Sequence, residues 1–427
     1  MTSGREPRPW IAGPRRLLRR MTGRPDSDWA GPDPPAELAH RARPIADDHA
    51  CELVLFEAAD RTFEPAAARL ASIGHRVFRI RSDRSAGAGP VPEVREIAPR
   101  LFEIRLADTP FESLDRARRE LGFGATAAAV LASDAGRRAL AARFRAERGW
   151  AVVEPGDAFV ADGDGLAAAA RAAFPLASIV IVTHGRRELT RLCLESLFAR
   201  TEWPRLEVLA IDNGSTDGTP ELLRDFARRH SALRVMAFAE NRGFPAAANA
   251  GLSAATGDLL VLLNNDTVLT RGWLAALHRH LAASARAGLV GPVTNAIANE
   301  AKIEVGYRDL DALPAWAARW MREHDGVASP IPMLAFFCVA IRREAFAAVG
   351  PLDERFGLGL FEDGDYCRRA RQAGWELLCA RDAFVHHWQN ASFRRLGRER
   401  YLALYEENRR KFRDKWGDEP PPEQPGR

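Results

Sequence analysis

Residues 257–267 read Gly257-Asp258-Leu259-Leu260-Val261-Leu262-Leu263-Asn264-Asn265-Asp266-Thr267 and indicate the architecture of the chain. Five consecutive apolar residues between polar ones predict a short strand buried on both faces, as in a parallel sheet. Ligands of open α/β sheets bind beyond the carboxyl ends of the strands, so we expect Asp266 at the edge of a binding site. A carboxylate there suits a hard divalent cation. The alternative is a simple turn, because Asn and Asp side chains favour turns.

The composition is that of an ordinary soluble protein. The chain has 427 residues, enough for two or three domains, with 46% hydrophobic and 28% charged residues. No apolar run reaches the ~20 residues of a membrane-spanning helix. The net charge of +4 is too small to indicate a nucleic-acid partner. The five cysteines include no Cys-x-x-Cys pair, which predicts neither a disulfide framework nor a zinc site and fits a reducing cytoplasm.

The amino-terminal part predicts a tail, a small domain and a linker. Residues 1–48 are irregular in composition and predict a disordered tail with no signal peptide. Residues 49–155 alternate strand and helix, which indicates a small Rossmann-like α/β domain with a parallel sheet. Residues 156–175 are rich in Gly, Asp and Ala and predict a linker. The strands are expected at 51–56, 75–80, 101–106, 127–131 and 150–153, and the helices at 64–73, 111–121 and 135–148.

A second and larger domain is expected at 176–390. Its predicted strands end in polar loops, of which the first two read Asp212-Asn213-Gly214-Ser215 and Asn241-Arg242-Gly243-Phe244. Residues 294–332 show no clear period and predict variable loops, in which Trp316 and Trp320 either line a sugar pocket or pack in the core. The predicted strands lie at 178–184, 206–211, 233–239, 259–263, 289–293 and 375–380. A helix is expected at 273–286, and the apolar run 333–341 leads into a further predicted helix that begins at 342–346. A basic helix at 391–416 and a disordered tail at 417–427 complete the chain.

Three carboxylates crowd the expected first turn of a helix, in the sequence Phe361-Glu362-Asp363-Gly364-Asp365. One acid would suffice to stabilise a helix amino terminus, by about 0.3–1 kcal/mol. Like charges close together raise the pKa of one carboxyl group towards the range that suits a general base. The cluster is therefore a candidate for proton transfer.

Six motifs in order resemble the family 2 glycosyltransferases, and the rhamnosyltransferase-like branch is nearest in pattern. The resemblance spans about 178–390 and departs from the usual Asp-x-Asp in having Asn264-Asn265-Asp266. It implies an A-type glycosyltransferase fold (a nucleotide-diphospho-sugar transferase with a Rossmann-like mixed sheet), a nucleotide-sugar donor, a divalent cation (Mn²⁺ or Mg²⁺) and inversion at the anomeric carbon. The small amino-terminal domain resembles the first half of B-type glycosyltransferases. The motifs are residues 180–183, 211–218, 241–251, 263–267, 361–365 and 386–387.

The resemblance also implies roles for single residues. Asp363 becomes the general base, with Glu362 second and Asp365 structural. Asp266 becomes the metal-binding acid, and His386 is the first candidate for a histidine ligand, with core packing as the alternative. One carboxylate beside two amides is a poor metal site, so the ion is expected to be held mainly through the donor's diphosphate. Nucleotide-sugar binding is assigned to Thr183, Asp212, Asn213, Gly214, Asn241, Gly243, Asn249 and Asn265.

The sequence thus predicts an inverting glycosyltransferase that acts on a glycan or lipid-linked acceptor in cell-surface polysaccharide synthesis. We expect it in the cytoplasm or at the inner face of the membrane, where the helix at 391–416 either contacts lipid or packs on the domain. One alternative is a non-catalytic scaffold protein in polysaccharide assembly. The other, a sugar-phosphate nucleotidyltransferase, requires a Gly-rich, basic loop after the first strand, which Thr183-His184-Gly185-Arg186-Arg187 is not.

Overall fold

A computed structural model of the chain describes residues 174–388 and 397–417, together with six strands and the helical residue Asp115 of the amino-terminal part. The predicted tail at 1–48 lies outside the described residues, as do most of the linker at 156–175 and nearly all of the tail at 417–427. The same holds for the three amino-terminal helices, apart from Asp115. The domain boundaries and the resemblance to B-type enzymes therefore stay predictions.

The six amino-terminal strands form one sheet in the order β3-β4-β2-β1-β5-β6. Every neighbouring pair is parallel except β3 and β4, so the predicted parallel sheet is confirmed with one antiparallel edge. The edge strand β3 was not predicted, and its sequence Glu-Val-Arg-Glu-Ile-Ala alternates charged and apolar residues only in part. The strands are β1 Glu52–Glu57, β2 Arg76–Ser82, β3 Glu93–Ala98, β4 Leu101–Leu106, β5 Ala127–Leu131 and β6 Ala151–Val153.

The second sheet is mixed and has the order β11-β15-β12-β14-β10-β7-β8-β9, with β13 paired to β15. Strands β7 to β10 are mutually parallel, whereas β14 is antiparallel to both of its neighbours. This arrangement is the Rossmann-like mixed sheet that the sequence predicts. The strands are β7 Ala177–Thr183, β8 Leu206–Asn213, β9 Leu233–Phe238, β10 Leu259–Asn264, β11 Thr267–Leu269, β12 Ala287–Val293, β13 Ala328–Pro330, β14 Cys338–Arg342 and β15 Glu376–His387.

Helices cover both faces of this sheet. The cluster on one face contains residues of α1, α2 and α4, and the cluster on the other contains residues of α3, α5, α6 and α7. The helices are α1 Arg187–Arg200, α2 Thr219–Arg229, α3 Phe244–Ala254, α4 Trp273–Ala283, α5 Leu313–Glu323, α6 Arg343–Val349, α7 Glu362–Gln372 and α8 Arg398–Trp416.

Strand β10 shows why its sequence is apolar without interruption. Leu259, Val261 and Leu263 pack in the cluster on one face, and Leu260 and Leu262 pack in the cluster on the other. A strand with both faces covered needs no polar alternation, and each buried Leu or Val contributes about 1.5–3 kcal/mol. The strand predicted from residues 257–267 is therefore confirmed.

Two predictions for the second domain are wrong in part. Residues 294–332 are not all loops, because they contain α5 and β13. The predicted strand at 375–380 continues to His387, since β11 and β13 both pair with it. Trp316 and Trp320 of α5 pack against the core cluster, as the alternative prediction has it. Within the described residues, no helix is long and apolar enough to span a membrane.

Candidate active site

The candidate site lies where the strand order reverses. From β7 the chain moves outward to β8 and β9 and then returns to β10 on the other side of β7, which makes a topological switch point. The carboxyl ends of these strands present Thr183, Asp212 and Asp266. Strands β8 and β10 are separated by β7, so their ends lie about 10 Å apart. Asp212 and Asp266 are both buried.

Asp212 and Asn213 shape the loops after β8 and β9. One carboxylate oxygen of Asp212 accepts a hydrogen bond from the backbone N–H of Ser215 at 3.2 Å, which fixes the start of the loop after β8. The side-chain amide of Asn213 donates to Asn241 Oδ1 at 2.9 Å and to the carbonyl of Gly243 at 3.1 Å. Its oxygen accepts the backbone N–H of the residue that follows Asn241 at 2.8 Å. The loops after β8 and β9 are thus joined into one wall.

Two glycines of this wall allow close backbone approach. Gly214 has φ +76°, and a Cβ atom there would lie 2.6 Å from the carbonyl carbon of Glu240. Gly243 has φ +86°, and a Cβ atom there would lie 1.9 Å from the carbonyl oxygen of Gly357. Contacts this short exclude any side chain at either position. The second contact joins this wall to the segment that precedes the acidic motif.

Asn249 and Asn265 are engaged with neighbouring segments. The amide of Asn249 donates to the carbonyl of Leu352 at 2.9 Å and to Glu354 Oε1 at 3.0 Å, and its oxygen accepts the N–H of Leu352 at 2.8 Å. Asn265 donates to Thr190 Oγ1 at 2.8 Å. Both side chains hold loops of the site in place. Donor contact by these two amides stays a prediction.

Asp266 meets the end of β15. His387 Nε2 lies 3.3 Å from Asp266 Oδ1, and the backbone N–H of Trp388 donates to the carbonyl of Asp266 at 3.0 Å. His387 Nδ1 lies 3.0 Å from the carbonyl of Ala296, to which it donates when protonated there. A neutral His387 then turns the lone pair of Nε2 towards a carboxylate oxygen. Two electron-rich atoms that face each other favour a cation or a proton between them.

His386 lies on the opposite side of the strand. Its Nδ1 is 2.6 Å from the hydroxyl oxygen of Tyr307, and its Nε2 is buried with no hydrogen-bond partner in the described structure. Burial, reinforced by the nearby His387, lowers the pKa of His386 to about 4. The ring is therefore neutral near pH 7, which is the form that ligates metals.

The metal-binding atoms around Asp266 fit a divalent cation only in part. Asp266 supplies a buried carboxylate, and His387, whose Nε2 faces it, supplies a ring nitrogen suited to a transition metal such as Mn²⁺. His386, the ligand that the resemblance implies, lies on the other side of β15 beside Tyr307. No group of three or more His, Cys, Asp or Glu side chains with metal-binding geometry occurs within the described residues. A cation beside Asp266 would therefore need further ligands from a bound substrate.

The acidic motif opens α7. Glu362 is 8% exposed, and its Oε2 is buried with no hydrogen-bond partner in the part of the chain that is described. Burial and, secondarily, the neighbouring carboxylate of Asp363 raise the pKa of Glu362 to about 8. Asp363 is half-buried and accepts the backbone N–H of Gly364 at 2.7 Å. Near pH 7 Glu362 therefore largely keeps its proton, and Asp363 is the less buried of the two carboxyl groups.

The third acid, Asp365, has structural partners. It is fully buried and bonds to Arg369 at 2.9 Å, to Lys415 at 2.5 Å and to the indole N–H of Trp416 at 3.0 Å. These contacts saturate the carboxylate and tie α7 to α8. Asp365 thus has the structural position that the sequence predicts for it.

The structure places the predicted site residues on the same edge of the sheet. Asp212 and Asp266 follow β8 and β10, the two strands that flank β7, and Gly243 abuts Gly357 in the segment that leads to Asp363. Their roles in binding and catalysis stay predictions. Sequence reasoning missed the contact between Asp266 and His387, because two adjacent histidines in a strand point to opposite faces and the sequence does not say which face is the site.

Comparison with known proteins gives a family match. Residues 178–350 match the family model described as Glycosyl transferase family 2. An N-acetylglucosaminyl-diphospho-decaprenol L-rhamnosyltransferase of Mycobacterium tuberculosis is 28% identical over 236 residues, covering 49% of this chain and 75% of that protein. An O-antigen biosynthesis protein of Myxococcus xanthus is 28% identical over 240 residues, covering 52% of this chain and 18% of that protein.

Many relatives are longer than the matched part. This chain spans only 18% to 37% of the length of the first relatives that it matches. Among solved structures, the mannosyltransferase of Pyrobaculum calidifontis in complex with GDP-Man and Mn²⁺ is similar with a TM-score of 0.43 and 22% identity. That similarity covers 58% of this chain and 66% of the other.

Proposed function

We propose that this chain is an inverting glycosyltransferase, because residues 178–350 match the family model described as Glycosyl transferase family 2. It moves a sugar from a nucleotide-diphospho-sugar to a hydroxyl group of a glycan or lipid-linked acceptor. The observation that carries the proposal is the pair Glu362 and Asp363 on a segment whose backbone touches the wall of the β8 and β9 loops at Gly243.

The proposed reaction is a single displacement. The acceptor oxygen attacks the anomeric carbon from the face opposite the diphosphate, the bond from that carbon to the diphosphate oxygen breaks, and the configuration inverts. Asp363 takes the proton of the acceptor hydroxyl, because it is the more exposed of the two carboxyl groups and a base must reach the acceptor. Glu362 stays protonated beside it, which avoids two adjacent negative charges in a buried position.

The donor is proposed to bind across the ends of β7, β8 and β10. The carboxylate of Asp212 and the joined loops around Asn213 and Gly243 form the nucleotide side of this cleft. Asp266 with His387, whose Nε2 faces it, would hold a Mn²⁺ or Mg²⁺ ion, which when bound neutralises the charge of a diphosphate leaving group. With so few protein ligands, we expect the free enzyme to bind the cation weakly.

The acceptor class is proposed from the relatives. One of them is named for a decaprenol-linked acceptor and another for O-antigen biosynthesis, which favours a lipid-linked acceptor in cell-surface polysaccharide synthesis. Peripheral membrane contact through α8 would have to use its exposed side, where positive and negative charges are nearly balanced. That side carries Glu399, Arg400, Ala403, Glu406, Glu407, Arg410, Arg413 and Asp414.

The test is incubation of the protein with a panel of nucleotide sugars, Mn²⁺ and short lipid-linked or oligosaccharide acceptors. A glycosyltransferase releases nucleoside diphosphate and forms a glycosidic product with the opposite anomeric configuration. Pyrophosphate-dependent chemistry would instead indicate a nucleotidyltransferase. No turnover with any donor, together with glycan binding, would indicate a scaffold protein, and either result would overturn the proposal.

A further inference from the structure

The carboxy-terminal helix α8 packs on the segment that leads into the acidic motif. Phe412 is fully buried and forms a cluster with Phe356 and Phe361, to which Tyr405 and Trp416 contribute partly buried rings. The ring centroids of Phe361 and Tyr405 lie 5.1 Å apart. Residues 356–361 therefore pack against α8.

Asn408 makes the polar part of this contact. It is fully buried, and its side-chain amide donates to the carbonyls of Phe356 at 2.7 Å and Gly359 at 2.8 Å, with a longer contact to Leu360 at 3.4 Å. Its oxygen accepts a hydrogen bond from Lys411 Nζ at 3.0 Å, which fixes the orientation of the amide. A single side chain thus contacts three carbonyl groups of one loop. That loop lies 48 to 52 residues before Asn408 in the sequence.

The loop that Asn408 holds has an unfavourable backbone. Leu360 and Phe361 both adopt the left-handed conformation, with φ of 77° and 74°, and they directly precede Glu362. Such a conformation at a residue other than glycine costs of order 1–3 kcal/mol and persists only where neighbouring contacts enforce it. The contacts that enforce it here come from Asn408 and the aromatic cluster of α8.

A second connection fixes the first turn of α7 from the same helix. Lys415 Nζ lies 2.8 Å from Asp353 Oδ2 and 2.5 Å from Asp365 Oδ1. The two acids flank the loop, one before it and one after it. Helix α8 therefore holds both ends of the segment as well as its middle.

We propose that Asn408 is a positioning residue of the active site, which acts by holding the left-handed backbone at Leu360 and Phe361 so that Glu362 and Asp363 face the cleft. Asn408 touches neither of the two acids in this arrangement and acts only through the backbone. The proposal rests on the proposed function for its catalytic consequence, whereas the structural consequence for the loop stands apart from it.

The test compares Asn408→Leu and Asn408→Asp, which keep the branched shape of the side chain and remove the amide donor, with Asn408→Gln, which keeps the amide. Ser178→Ala is the matched control, because Ser178 is fully buried, bonds to Glu207 and to the N–H of Gly257, and lies at the opposite end of its strand from Thr183. Each variant is measured for kcat, for KM of the donor, for thermal midpoint, and for hydrogen–deuterium exchange of the peptide that covers residues 356–366.

We expect the Leu and Asp variants to lower kcat by about 10- to 100-fold, since a displacement near 1 Å suffices for that loss. The donor KM should change by less than about 3-fold, amide exchange in the 356–366 peptide should rise, and Asn408→Gln should recover part of both. Ser178→Ala should lower the thermal midpoint without either effect. Equal amide exchange of the 356–366 peptide in all variants would overturn the positioning role. A loss of kcat that is proportional to the loss of thermal midpoint in every variant, Ser178→Ala included, would overturn it as well. A wild-type protein without transferase activity would overturn the proposed function, while loop exchange would still decide the role of Asn408.

Discussion

The contact between the wall of the β8 and β9 loops and the acidic segment can be tested by replacing Gly243 with alanine. The backbone of Gly243 has φ 86° and ψ 163°, a region that residues with a side chain rarely occupy. The added Cβ would lie 1.9 Å from the carbonyl oxygen of Gly357, against the 3.0 Å below which real Cβ contacts essentially never fall. The two segments must therefore separate by about 3.0 − 1.9 = 1.1 Å.

The chain provides a control with almost the same backbone. Gly350 has φ 83° and ψ −167°, and a Cβ atom there meets nothing within 4 Å. Both alanine variants should lose about 1–3 kcal/mol of unfolding free energy through backbone strain. Only Gly243→Ala also displaces the segment that carries Glu362 and Asp363.

We expect Gly243→Ala to lower kcat by about 10²-fold, because a misplacement near 1 Å at the reacting groups has an effect of that size. Gly350→Ala should keep kcat within about 3-fold of the wild type, because its added Cβ contacts no other segment and so displaces none of the site residues. The assay is release of nucleoside diphosphate at saturating donor, with urea unfolding of both variants alongside. Equal kcat values for the two variants would refute the inference that the wall and the acidic segment form one site.

Two further predictions concern stability. Burial and a neighbouring carboxylate raise the pKa of Glu362 from 4.5 to about 8, so the folded chain keeps a proton that the unfolded chain releases. The free energy of unfolding should therefore fall as pH rises from about 4.5 to about 8, by up to ~1.4 kcal/mol per pH unit, and Glu362→Gln should flatten this slope in urea titrations. Lys415→Met should cost about 1.5–3 kcal/mol in the same assay, because it removes a charged partner from the fully buried Asp365. The control is the exposed ion pair of Arg228 with Asp225, for which Arg228→Met should cost less than about 1 kcal/mol. Equal losses of unfolding free energy in Lys415→Met and Arg228→Met would contradict the inference that burial makes the Lys415 contact the stronger one.

Much of the fold follows from local patterns in the sequence. Strands β7, β8 and β10 are apolar runs that end in polar loops, and covering both faces of a sheet with helices requires such runs. Helix α5 was not predicted, although Leu313, Ala317 and Trp320 recur on the face that packs on the core. The extension of β15 to His387 depends on pairing with β11 and β13, and such pairing has no local signature.

The candidate site is predictable to a similar degree. Asp212, Asp266 and Asp363 are visible in the sequence because each follows a strand or opens a helix, whereas the contacts that place them are long-range. The pairing of Asp266 with His387 depends on which face of β15 meets the cleft. Asn408 lies in the middle of a charged helix, and nothing in its local sequence distinguishes it from a surface residue.

The most direct measurement of the central claim compares turnover and donor binding in Asp363→Asn. The substitution keeps the shape of the side chain and removes its ability to accept a proton. We expect kcat to fall by about 10²- to 10⁴-fold while the dissociation constant of the nucleotide sugar, measured by calorimetry, stays within about 3-fold of the wild type. Near-normal turnover in this variant would contradict the account, because a residue that takes the acceptor proton cannot be replaced by an amide without loss.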